Sequence, residues 1–105
     1  MVDPHGLRLR ELAETVSGAS GVLPRYVRRA LASGQAIPGE LGRLAELVAA
    51  GGTGVTEDDV RCLLDCGYSE DVVFECVVAA AVGAAVLRLR AVEELLASCR
   101  RGDPP

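Results

Sequence analysis

The chain has no tryptophan and no lysine, and only three aromatic side chains, Tyr26, Tyr68 and Phe74, among 105 residues. Without large rings, a core has to be assembled from Leu, Val and Ala, which suit helices packed at short range. Runs that alternate apolar and polar residues between hairpin turns are also missing, which removes strands from the expectation and leaves an all-α fold. There is one histidine, His5, and no Cys-x-x-Cys, so no set of ligands has zinc spacing and neither a metal nor another cofactor is expected. A basic face that would follow a phosphate backbone is absent too. The net charge is −4 with acids and bases interspersed, and no nucleic-acid partner is expected. The one basic cluster, Arg25, Arg28 and Arg29, reads as a solvated helix face. All eleven basic residues are Arg, a pattern of GC-rich, bacterial coding. The N-terminus is polar and does not read as a secretory signal. The apolar run Val77 to Leu87 covers eleven residues between Glu75 and Arg88, short of the ~20 needed for a membrane span. The expectation is a buried helix in a cytoplasmic protein that makes no membrane contact and keeps its four cysteines reduced.

What the chain does have is apolar mass, at 50% of residues, enough for one core in a chain of single-domain size. Five helices are expected, in one domain over residues 1–101 with a disordered tail at 102–105. The first runs from about Pro4 to Val16, with Asp3 as its cap and Leu9, Leu12 and Val16 on one face. A second runs from Pro24 to Gly34. A third begins at Ile37-Pro38 and carries Leu41, Leu44, Leu47 and Val48. Gly51-Gly52-Thr53-Gly54 reads as a linker. Thr56 with Asp59 forms a capping box for the fourth helix, with Val55 stapled onto Val60. Gly67 suits the left-handed position that ends it. Ser69 then caps the fifth and longest helix, which runs to about Arg100 with Glu70 and Asp71 on its positive end. That helix is apolar on nearly every face. Such a helix needs protein around it, and a homo-oligomer (dimer, trimer or hexamer) through Ser69–Arg100 is expected, with a heteromeric partner as the alternative. The small residues around Ala80 and Gly83 are read as the place where another chain comes close.

The candidate site residues are few. Cys62 and Cys66 stand one turn apart. With Val60, Leu63 and Leu64 marking the core side, Cys66 falls on the flank and Cys62 away from the core. The plain reading makes them small buried hydrophobes; the sharper reading makes them a redox pair. Helical i,i+4 geometry suits a disulfide poorly, and Asp59 and Asp65 oppose any help Arg61 gives to a thiolate. Cys76 and Cys99 are read as core or interface residues. Glu75 is either a first-turn acid favoured by the helix dipole or a buried carboxylate held by Arg88 or Arg90 of a neighbouring chain, able to shuttle protons. His5, beside Gly6, is read as surface.

The string from Val55 to Cys76, Val-Thr-Glu-Asp-Asp-Val-Arg-Cys-Leu-Leu-Asp-Cys-Gly-Tyr-Ser-Glu-Asp-Val-Val-Phe-Glu-Cys, followed by a small-residue helix ending at Arg88, resembles the carboxymuconolactone decarboxylase and alkylhydroperoxidase D-like superfamily. The likeness is greatest to the C-terminal half of its peroxidase-related members and covers about residues 38–96. The segment Pro4-His5-Gly6-Leu-Arg-Leu-Arg is similar to the stretch after that family's thiols. The resemblance implies a helical fold and ring-like oligomers. Redox members carry Cys-x-x-Cys-x-x-x-His; with the thiol helix placed on the helix before Gly67 its positions fall on Gly52, Val55 and Asp59, with it placed before His5 the chain begins too late to include it, and Leu87 precedes Arg88 where an asparagine is usual. The resemblance therefore implies a non-redox member: an oligomeric accessory, scaffold or small-molecule-binding subunit. Two alternatives stand beside it. One is a cofactor-independent decarboxylase- or isomerase-like enzyme that uses an interface Glu75/Arg88 pair; the other is a thiol peroxidase or redox protein that uses Cys62 and Cys66.

Overall fold

A computed structural model of the chain describes residues 8, 11, 12 and 21–102. Among the described residues there are four helices and no strand: α1 (Arg25–Ala32), α2 (Gly39–Ala49), α3 (Glu57–Asp65) and α4 (Glu70–Arg101). The fold is all-α. The expected first helix, like His5, lies outside the described residues apart from helical Arg8, Glu11 and Leu12, and residues 103–105 of the expected tail lie outside them as well.

The punctuation read from the sequence is present atom by atom. The Thr56 hydroxyl accepts from the Asp59 amide at 3.2 Å, and the Asp59 carboxylate accepts from the Thr56 amide at 2.9 Å, which closes the capping box of α3. The Thr56 amide and then its hydroxyl, both donating to the Asp59 carboxylate, hold that carboxyl below its ordinary value. Val55 and Val60 pack on the same cluster, as a staple does. Gly67 takes φ +100° and breaks the chain between α3 and α4. Ser69 then accepts from the Val72 amide, and α4 runs 32 residues to a left-handed Gly102. At about 1.5 Å per residue, α4 nearly spans the 53 Å long axis of the molecule.

Helices α1 and α2 both lie along the first half of α4. Leu23 and Leu31 from the α1 side, Ala45 from α2, and Cys76, Ala79 and Ala80 from α4 form one core cluster. A second, of Leu44, Leu63 and Val73, seats α3. The close approach at Gly83 is made within the chain. A Cβ there would strike the carbonyl oxygen of Leu31 and come within 3.0 Å of the Gly34 amide. The sequence reading gave this position to another chain; the α1 backbone occupies it instead. Arg28 departs from the solvated-face expectation as well. It is 6% exposed, and its Nε donates to the Leu23 carbonyl at 3.0 Å.

Among the described residues, few pack on the second half of α4. Its buried residues end at Val86, and Val92, Leu95 and Leu96 are each 50% exposed. One stripe of α4 reads Phe74, Val78, Ala81, Ala85, Arg88, Val92, Leu95, Cys99, an alternation of four and three residues; Val78 and Ala85 on it are part-buried, Arg88 reaches back to α2, and the other members are exposed. Phe74 on it is 68% exposed. Counting the whole helix also changes the membrane arithmetic. It contains an 18-residue stretch of mean hydropathy 2.2, long and apolar enough by length and composition to cross a bilayer, with 44% of that stretch buried inside the protein. The eleven-residue run considered in isolation is too short, but the continuous helix is not.

Candidate functional site

Glu75 sits in the second turn of α4 and reaches across to the segment ahead of α1. Its two carboxylate oxygens accept the Val22 amide at 3.0 Å and the Leu23 amide at 2.6 Å. Gly21 is part of the same clamp, because a Cβ there would collide with the carboxylate. Within the chain, the Glu75 oxygens fix the loop that delivers Leu23 to the core. Arg88 donates through Nη2 to the Ala49 carbonyl at 2.8 Å and so closes the C-terminal end of α2. Thirteen residues of one helix separate Glu75 from Arg88, about 20 Å along the axis, so a single chain does not bring them into one cavity.

The thiols do not follow the buried-hydrophobe reading. Cys62, Cys66 and Cys99 are exposed and only Cys76 is buried. Cys62 borders a cleft of about 230 Å³ between α2 and α3, together with Glu40, Arg43, Leu44, Leu47 and Asp59. Cys66 shares a hydrogen bond with Glu40, and that bond, followed by desolvation and the nearby acids, holds its thiol in the protonated form with a raised pKa. Burial pushes the Cys76 thiol up to about 11, and its Sγ lies 3.6 Å from the Leu41 carbonyl. Raised values are the reverse of what a reactive thiol needs. Alkylation of the native protein is expected to label exposed Cys62 first, Cys66 more slowly because its thiol is held protonated, and Cys76 only after denaturation, read by mass spectrometry of the labelled peptides. Rapid native labelling of Cys76 would contradict this burial.

No family model, curated protein or solved structure matches the chain.

A feature absent from the sequence reading lies where α1, α2 and α4 meet. A cavity of about 120 Å³ is lined by Leu31, Ala45, Ala49, Ala80, Ala84 and Leu87, with Gln35 and Glu46 as its polar groups. It exists because the side chains facing the junction stop at Cβ. The signal was available in the recurrence of Ala and Gly on two helices, but small residues tell only that something comes close, not whether it is backbone or an open space. Among the described residues, no group of three or more His, Cys, Asp or Glu is placed to hold a metal.

Proposed function

We propose that the chain is a non-redox helical subunit, alkylhydroperoxidase D-like in kind, that assembles with copies of itself and acts as an accessory, scaffold or small-molecule-binding component. The observation that carries this reading is the exposure of Phe74, Val92, Leu95 and Leu96 on α4, on or beside a stripe that keeps the four-three alternation from Phe74 to Cys99. A four-three alternation kept over that length is the pattern by which two helices bury a shared seam. Leaving Val92, Leu95, Leu96 and Phe74 half or more in water forfeits stabilisation of roughly 1.5–3 kcal/mol for each side chain that is fully buried. The raised thiol of Cys66 and the missing Cys-x-x-Cys support the non-redox part. The partial burial of α4 among its own chain supports a core helix in a cytoplasmic protein over a membrane span, and the interspersed charges favour protein over nucleic-acid partners.

The enzyme alternative asks Glu75 to release two backbone amides and asks a second chain to supply Arg88. The thiol alternative asks Cys62 to act without an activated partner.

Light scattering at micromolar concentration tests the assembly. The wild-type chain is expected to run as two or more copies. Val92→Glu with Leu95→Glu is expected to give a monomer that keeps its folded core but loses part of its helical circular dichroism as Leu87–Arg101 frays, and Cys99 should alkylate faster in that variant. A monomeric wild type, with its face covered by its own N-terminal residues, would overturn the proposal.

A further inference from the structure

The cavity between α1, α2 and α4 deepens the small-molecule part of the proposed function, and it does not depend on assembly, because a single chain supplies every wall. We infer that it is a binding site for one uncharged ring-sized molecule carrying a hydrogen-bond donor at one end, of the phenol type. Size sets the first limit. The space of about 120 Å³ is of the size of one ring, set against the roughly 150 Å³ enclosed apolar cavity that accepts benzene in another protein, and unlike that cavity it is open to solvent on one side. Chemistry of the walls sets the second. Leu31, Ala45, Ala80, Ala84 and Leu87 present only carbon, which suits an apolar body. Charge at the mouth sets the third. Glu46 is the one charged residue of the lining and works against an anion. With the rest of the lining neutral, the acceptor oxygens that Glu46 and Gln35 carry suit the hydroxyl of an uncharged molecule.

The mouth is also able to adjust. Leu87 forms part of the wall and is 46% exposed. It lies over Gly34, where a Cβ would come within 2.6 Å of it and where φ is +84°. A side chain on residue 34 would push Leu87 into the opening, and glycine there leaves it room to turn aside.

The test uses the full chain with benzene, phenol and benzoate, followed by thermal unfolding and by chemical-shift changes at Ala80, Ala84 and Leu87. Phenol and benzene are expected to raise the melting temperature in a saturable way, phenol at least tenfold tighter, with benzoate without effect. Ala84→Leu fills the cavity from α4 and is expected to abolish both responses. Ala49→Leu narrows it from an exposed position and should weaken binding at least tenfold even if Ala84→Leu fails to fold. Absence of any response in the wild type, or a response equal in Ala49→Leu, overturns the site. Sizing the same samples separates the two readings: ligand binding by a monomer would remove the assembly and keep the cavity, and an oligomer that ignores all three probes would do the reverse.

Discussion

Gly83→Val is expected to leave the protein largely unfolded at room temperature, and Gly83→Ala to lower its stability by about 2–4 kcal/mol, read from urea or thermal unfolding. In isolation, alanine would favour a helix over glycine by about 1 kcal/mol, so a stabilising effect is the naive expectation for residue 83 in the interior of α4. The sign reverses because of what faces it. The carbonyl of Leu31 and the amide of Gly34 are backbone atoms at the C-terminal end of α1, and backbone cannot swing aside as a side-chain tip does. Making room means lifting the end of α1 off α4, and Leu31 and Ala32, both buried, go with it. Inserting atoms into a filled contact costs about 1–3 kcal/mol even when neighbours adjust. Native domains hold only about 5–15 kcal/mol in all. Ala91, exposed on the same helix and off the four-three stripe, is the control: Ala91→Val should change stability by less than about 1 kcal/mol. A Gly83→Ala protein as stable as the wild type would show that α1 does not rest on α4 as described.

Glu75→Ala is expected to cost about 2–4 kcal/mol, and Glu75→Gln about half as much. A hydrogen bond to a charged group contributes roughly 1.5–3 kcal/mol. Glu75 makes two, to Val22 and Leu23, but at a partly exposed position where water takes up some of the loss. Glutamine keeps one acceptor oxygen for one of the two amides. Because Leu23 is buried and also receives Arg28 on its carbonyl, loosening the clamp should propagate to α1, and hydrogen exchange at Val27 and Arg28 should rise with it. Glu75→Gln as damaging as Glu75→Ala would mean that the charge, not the geometry, holds the loop.

Local rules carried most of the described fold. The ends of α3 and α4 were legible because caps act within four residues: Thr56 with Asp59, Gly67, and Ser69 each meet partners nearby in the chain. What lay beyond local reach was read less well. The role of Glu75 depends on a loop more than 50 residues away, and no periodicity reports that a carboxylate will meet two amides. Arg28 looked like one of three surface cations because its burial depends on where the Leu23 carbonyl lands. The placement of Cys62 away from the core followed from angle counting alone and agrees with its exposure, while the plainer reading of both thiols as buried fillers did not survive. The cavity was invisible for a different reason: it is defined by atoms that are not there.

The distal turns of α4 carry a further consequence for how order is maintained. A helical stretch of about fifteen residues, such as Leu87–Arg101, is marginal in water without tertiary support. With its last buried residue at Val86, this stretch is rigid only as far as another surface embraces it. In the assembly proposed above, dilution would therefore act on the conformation of the chain as well as on its association, and the rod would shorten from its free end as its neighbours leave.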